Sequence, residues 1–267
     1  MRIGAKLWSN SLKIALKQLF SSKARMNIEM YRIFFEIQKK HWWFTSKKEI
    51  ILDTIARYTN LKPESAILDI GCGSGLMLNA LEALGQTFGM DMSDDAIQFS
   101  QEIFRGPIKK GFLPNNVPYS ENEFDLITAL DVIEHIDDDE QSLKVIQSLL
   151  SEKGTAIITV PAYMFLWSHF DELNEHKRRY TLSELQTKIK NAGLKIEKIS
   201  YYNTLLFPIA YLVRKLNNLL GRDGASDIDM PGQTMNTILR KIFTSEKSLL
   251  RYFNLPFGVS ILAVVKK

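Results

Sequence analysis

The amino-acid sequence predicts an α/β fold in which helices flank a mainly parallel sheet, and two observations carry that reading. Short β-rich apolar runs alternate with helical stretches over most of the 267 residues, the pattern expected when a helix returns the chain to start each next strand. The first of those runs passes directly into a glycine-rich turn that opens a helix, "ILDIGCGSGL", with Gly71, Gly73 and Gly75 alternating through it.

Strand candidates lie at 66–70, 87–92, 124–130, 155–160, 194–201 and 259–265, with a weaker one at 108–112. Helical candidates fall between them at 76–84, 94–104, 139–150 and 182–192. The last is bounded at both ends: Thr181 and Glu184 form a capping box, and Gly193 supplies the stop. No internal repeat interrupts this order, so an N-terminal arm and a later insertion read as additions to one α/β domain.

With 45% hydrophobic and 24% charged residues the chain can bury a large core. The single cysteine, Cys72, excludes an internal disulfide framework and a multi-cysteine zinc site, and fits a reducing, cytoplasmic compartment. The N-terminus lacks the apolar segment and cleavage site of a secretory signal. The longest apolar run, 205–213, contains Pro208 and falls short of the roughly 20 residues a spanning helix needs.

Net charge is +4, but six basic residues and no acidic one lie within the first 25 positions, leaving the remainder slightly acidic. In that arm Trp8, Leu12, Ala15, Leu16 and Leu19 recur at helical spacing, while Lys6, Lys13 and Lys17 fall on another face. Such a basic amphipathic helix can lie on an anionic membrane surface, or pack its apolar stripe on its own domain. The core is not basic and holds no recognised nucleic-acid module, so no nucleic-acid partner is expected.

The glycine turn is sharpened by two carboxylates. Asp69 stands two residues before the first glycine, and Asp91 ends the next strand, where a carboxylate can accept both hydroxyls of a ribose. A dinucleotide would bring a doubly negative pyrophosphate against Asp69, whereas S-adenosylmethionine brings an ammonium and a sulfonium, which a carboxylate favours. The spacing G-x-G-x-G also departs from G-x-G-x-x-G. The residues therefore point to S-adenosylmethionine, with an NAD-dependent oxidoreductase and a noncatalytic cofactor-fold scaffold as the alternatives.

"ILDIGCGSG", "FGMDMS", "FDLITALDVIEHI" and "GTAIITVPA", in this order, resemble the class I S-adenosylmethionine-dependent methyltransferases over about residues 47–201, with 259–267 as a final strand. The resemblance implies a transferase of the EC 2.1.1 type with a Rossmann-like, seven-stranded, mainly parallel sheet and helices on both faces. It further implies a last antiparallel strand beside its predecessor, an N-terminal helical arm (1–46) and a methyltransferase domain (47–267) with a helical lid at about 204–254. By the same resemblance Gly71, Gly73 and Gly75 border the donor's methionine moiety, Asp91 holds the ribose and Met92 packs on adenine; Asp69, Cys72 and Leu130 complete the expected cofactor-binding set. Phe112 stands where many relatives carry aspartate, so adenine recognition there would fall to backbone atoms.

Methyl transfer from a sulfonium is an in-line displacement that needs alignment above all, and a hydroxyl acceptor must also lose a proton. "LDVIEH" places Asp131, Glu134 and His135 just after a strand, and His135 is a candidate general base. The same run resembles the ubiquinone-pathway O-methyltransferases, where an acidic residue, a glutamate and a histidine bind a divalent metal; a local hydrogen-bonding role competes with that reading, and no metal ligand is assigned. A second cluster, "WSHFDELNEHKRRYT" (167–181), contributes His176 as a base or further ligand and Arg178 or Arg179 as a clamp for an anionic acceptor.

"HWWF" (41–44) either closes over the cofactor or staples the arm to the domain. The insertion begins with an apolar stretch at 204–220, continues through a mobile segment over 221–233 and ends in an amphipathic stretch over 235–253. An apolar lid with a basic arm fits a small or lipid-linked acceptor met at a membrane surface, and a homodimer interface would use the same residues.

Overall fold

The computed structural model describes residues 28–219 and 230–267. The predicted basic helix of the arm and most of the 221–233 segment lie outside the described residues.

A seven-stranded sheet forms the centre, built from β1 (Ala66–Ile70), β2 (Gln86–Asp91), β3 (Ile108–Lys110), β4 (Phe124–Leu130), β5 (Leu150–Pro161), β6 (Lys195–Tyr202) and β7 (Ser260–Lys266). Its order is β3-β2-β1-β4-β5-β7-β6, with β7 antiparallel to both neighbours and the other pairings parallel. This is the architecture expected from the sequence.

Alternation along the central strands sorts side chains to two faces. Leu68 and Ile127, paired in register, point with Ile158 toward the layer of α5 (Asp139–Leu149) and α7 (Leu182–Asn191), where Leu143, Ile146, Leu185 and Ile189 are buried. Ile67 and Leu126 are likewise paired and point with Ile157 and Leu262 to the opposite face, against α2 (Trp42–Tyr58) and α9 (Gln233–Tyr252). The remaining helices are α1 (Ile28–Gln38), α3 (Leu76–Leu81), α4 (Asp94–Ile103), α6 (His169–Leu173) and α8 (Phe207–Leu219). None of the described helices is long and apolar enough to cross a membrane.

Some boundaries differ from the sequence reading. β5 starts at Leu150, because Leu150 pairs with Phe124 and the register then shifts before Leu126 meets Thr155. α3 stops three residues early, and Gly85 follows close beneath the Ser65 carbonyl, where an added Cβ would lie 2.4 Å from its oxygen.

Helix α2 begins within the "HWWF" run, and tertiary contacts explain its place. Trp43 and Trp42 pack their rings on Phe243 of α9 at centroid distances of 5.2 and 6.0 Å, and Tyr202 stacks on the same ring at 5.9 Å. Asn236 joins the same two segments, accepting from the Trp42 amide at 2.9 Å and donating to the Lys40 carbonyl at 2.8 Å. The aromatic run thus staples the N-terminal helices to the insertion. Glu246, also on α9 and fully buried, accepts from the Leu205 amide at 2.7 Å and so holds the start of α8.

Phe243 is fully buried where α2, α9 and β6 meet, so Phe243→Ala should cost about 3–5 kcal/mol of unfolding free energy in a denaturant titration. A loss below about 1 kcal/mol would mean that this junction does not contribute to the cooperative core.

Candidate active site

The carboxyl ends of β1, β2, β4 and β5 meet at one rim, the place where open α/β sheets bind ligands. The glycine turn lies there with Gly71, Gly73 and Gly75 all in the left-handed region (φ 68°, 53° and 75°). Gly71 is required sterically as well, since a Cβ would come within 2.7 Å of Val132. At Gly73 an added Cβ would meet nothing closer than 3.9 Å, which leaves that position open to an approaching ligand.

A glycine-rich turn at a strand end commonly leaves amides free to face a ligand. Here Gly71 and Cys72 both donate to the Met90 carbonyl (2.7 and 3.1 Å), and Gly75 donates to the Cys72 carbonyl (2.9 Å). The Gly73 amide donates to Asp91 at 2.8 Å. A pyrophosphate would find these four donors already used, which argues against the NAD reading. The buried Cys72 side chain packs with Leu78, Phe104 and Ile108, so this residue takes part in the turn through its backbone.

Asp69 is almost fully buried and accepts a hydrogen bond from Thr128 at 2.6 Å. Burial, reinforced by the charge of Asp91, pushes its carboxyl up to about 7 against the opposing pull of Thr128 and Lys47. Asp91 uses one oxygen for Gly73 and the other for the Ser93 amide at 2.9 Å, so its orientation is fixed from both sides. Met92 and Phe112 are exposed near this end, and Leu130 is half-buried against the α2 side of the core.

Three residues of the N-terminal helices reach the same rim. Tyr31 of α1 lies beside Ser93, Gln38 of α1 accepts from the Ser74 hydroxyl, and Lys47 of α2 reaches Asp131. Sequence reasoning missed all three, because no spacing relates them to the glycine turn and only the packing of α1 and α2 brings them there.

Asp131 follows β4 in the left-handed region (φ 57°). One carboxylate oxygen takes Lys47 Nζ at 2.5 Å, the other accepts from Thr159 at 2.8 Å. Burial alone would raise this carboxyl, but Lys47 and Thr159 hold it below the ordinary carboxylate value. It therefore stands apart from the residues that follow it in the sequence.

Those residues form a second cluster. Ligating atoms of Glu134, His135 and His176 lie within 4.8 Å of one another, and the two imidazoles meet edge to face at 4.7 Å between centroids. Glu134 is fully buried with neither carboxylate oxygen hydrogen-bonded, and burial together with the charge of Asp131 drives it well above the ordinary value. Burial, and then the charge of His176, lowers His135 to about 4 against the opposing pull of Asp131 and of the nearby Glu175 and Asn174 backbone. His176 instead turns Nδ1 to Asp171 at 2.8 Å. Asp171 is fully buried; Arg179 grips both its oxygens (2.8 and 2.9 Å) and Ser168 caps it, which with His176 holds it below the ordinary carboxylate range despite burial. Arg178 pairs with Asp139 at 3.0 Å, so both arginines offered as an acceptor clamp are engaged within the protein.

Among the described residues the ligating atoms that converge are those of Glu134, His135 and His176, not of Asp131, so the metal set implied by the ubiquinone-pathway resemblance does not assemble. A divalent ion would instead meet Glu134, His135 and His176, where it would lower the pKa of an acceptor hydroxyl.

Residues 41–199 match the family described as methyltransferase domain. The chain belongs to that family. The class I, S-adenosylmethionine-dependent assignment drawn from the motifs holds with it. Among curated proteins, the ubiquinone biosynthesis O-methyltransferase of Glaesserella parasuis is 28% identical over 155 residues, covering 49% of this chain and 66% of that one. The chain thus spans slightly under two thirds of that relative's length. In fold the methyltransferase resembles a Haloferax volcanii putative methyltransferase solved with its Trm112 activator (TM-score 0.56, 18% identity, 86% of this chain and 92% of that one). It also resembles Haemonchus contortus phosphoethanolamine N-methyltransferase 2 solved with S-adenosylmethionine (TM-score 0.53, 18% identity, 81% and 51%).

A cationic donor beside Asp69 requires the ionised carboxylate, so below about pH 7 binding must first expel a proton. S-adenosylmethionine affinity measured calorimetrically from about pH 5 to about pH 9 should therefore climb by up to about tenfold per unit and level off above about 7. Asp69→Asn should flatten that slope; an unchanged slope would detach Asp69 from the donor.

Proposed function

We propose that this chain transfers the methyl group of S-adenosylmethionine in line to an oxygen of a small or lipid-linked acceptor. The observation that carries the oxygen assignment is the His176–Asp171 pair. With Nδ1 directed at a buried carboxylate, the imidazole keeps Nε2 as the lone pair that can take a hydroxyl proton as the carbon–oxygen bond forms. The name of the Glaesserella parasuis relative supports the same acceptor atom.

Roles then divide along the rim. Asp69 and the glycine turn face the donor's amino-acid end, Asp91 the ribose, Met92 and Phe112 the adenine, and Leu130 and Asp131 close the side toward β4. His176 is the base; His135, neutral and edge to face with the His176 ring at 4.7 Å, positions it. Residues 1–46 act as an arm, and 204–254 as a lid on the 47–267 domain. Ile209, Leu212, Val213 and Leu216 of α8 are exposed on that lid, close in sequence to exposed Leu205, and the exposed Phe165 meets the Tyr211 ring at 5.9 Å. This apolar surface supports a lipid-linked acceptor and peripheral contact with a membrane from the cytoplasmic side.

Incubation with methyl-labelled S-adenosylmethionine and fractionated cell extract should place label in the lipid fraction. Label confined to aqueous metabolites would remove the lipid assignment, and no transfer to any fraction would remove the activity. With the acceptor in hand, His176→Ala should lower kcat by about a hundredfold or more while donor affinity stays within about twofold. Equal kcat in the two proteins would end its role as the base.

A further inference from the structure

Away from the rim, an open cleft of about 270 Å³ lies between the C-terminal halves of α2 and α9, over β6 and β7. Among the described residues its lining carries the cations Arg57, Lys198, Lys247 and Arg251 against a single carboxylate, Asp53. Arg57 stands ten residues beyond Lys47 on α2, about 15 Å further along the helix, so the cleft is separate from the rim that Lys47 reaches. The carboxylate is already spent, because Arg251 grips both oxygens of Asp53. Neither Arg57 nor Lys247 pairs with a carboxylate among the described residues.

Lys198 is buried, yet the partner of its Nζ is neutral, the Phe253 carbonyl at 2.7 Å. Burial, and then the charge of Arg57, lowers its pKa from the ordinary lysine value. A β-bulge puts it there. Ile196 and Ile199 both pack in the core beside α5 and α7, which strict alternation forbids, and the register shifts between them: Ile196 pairs with Val265 but Lys198 with Val264. The extra residue re-aims Lys198 to the α2 and α9 face, where Tyr202 and Leu262 also point.

A lysine at the end of α9 satisfies a terminal carbonyl and complements the helix dipole, and that accounts for Lys198 taken alone. It does not account for the two unpaired cations set beside it, whose mutual repulsion is relieved when an anion enters. An arginine fork with two lysine point charges suits the several acceptor oxygens of a phosphate. We propose that this cleft binds a phosphate group, held by Arg57, Lys198 and Lys247 at a site separate from methyl transfer. Such a group comes free in solution or on the headgroup of an anionic lipid, and in the second case the exposed Leu249, Tyr252 and Phe253 at the end of α9 would meet the acyl boundary.

Calorimetry of the full chain with inorganic pyrophosphate, in about 0.15 M salt, tests the site. Wild-type protein should bind one pyrophosphate with a Kd of about 1 mM or tighter, and S-adenosylmethionine should not displace it. Arg57→Gln combined with Lys247→Gln should weaken binding at least about tenfold, and neither side chain belongs to the core. Lys198→Met should weaken it as much; if that protein does not fold, the double variant decides alone. Absence of saturable binding by wild-type protein, binding that either variant keeps, or displacement by S-adenosylmethionine would overturn the proposal. Flotation with phosphatidylcholine vesicles containing phosphatidylglycerol then separates the two sources. Weaker flotation of the double variant assigns a lipid headgroup, and unchanged flotation assigns a free phosphate-bearing ligand.

Discussion

A carboxylate at the end of β4 bonds Lys47 on one side and Thr159 on the other, and through it three distant stretches of chain share one rim. A partly buried ion pair is costly to desolvate, and it is tolerable only when hydrogen bonds complete it and the geometry is tight. Thr159 meets that requirement, with its hydroxyl and its carbonyl both engaged by Asp131. The left-handed backbone of Asp131 turns the chain directly after the strand. Val132 comes next, and it packs where only a glycine at position 71 leaves room.

That junction makes the N-terminal helices part of the site. α2 carries Lys47 inward and presents Trp42 and Trp43 outward to Phe243 of the insertion, so the arm and the insertion support each other across one face of the sheet. α1 continues the cover, placing Tyr31 and Gln38 over the loops that follow β2 and β1. The insertion's second helix is anchored by this packing, while its first, α8, keeps much of its apolar surface uncovered.

Charge is distributed along the rim in two separate arrangements. Toward β1 and β2, Asp69 is buried and Asp91 half-buried, each held by neutral hydrogen-bond donors, and desolvation raises their proton affinity until a cation is supplied. Beyond β4 and β5 the opposite holds: Asp171 is surrounded by Arg179, Ser168 and His176 and stays ionised. The first environment suits a cationic donor and the second orients an imidazole, and the division is preorganised by backbone and side-chain bonds that need not form during the reaction.

Periodicity and turn chemistry are local properties, and the sequence by itself determined what depends on them. β1 and β4 match their predicted bounds, the Thr181 capping box and the Gly193 stop bound α7, and the Gly71–Asp91 relation was legible because a strand, a turn and a strand end lie within 25 residues. Nothing local marked Lys47, Tyr31 or Gln38, whose positions come from helix packing, and nothing in "LDVIEH" distinguished Asp131 from Glu134 and His135. Only the tertiary structure decided that Asp131 turns toward α2 and β5 while His176 joins Glu134 and His135 from 41 residues away. The physical reason is that a side chain's partner is set by which elements pack together, and burial then determines whether its charge survives.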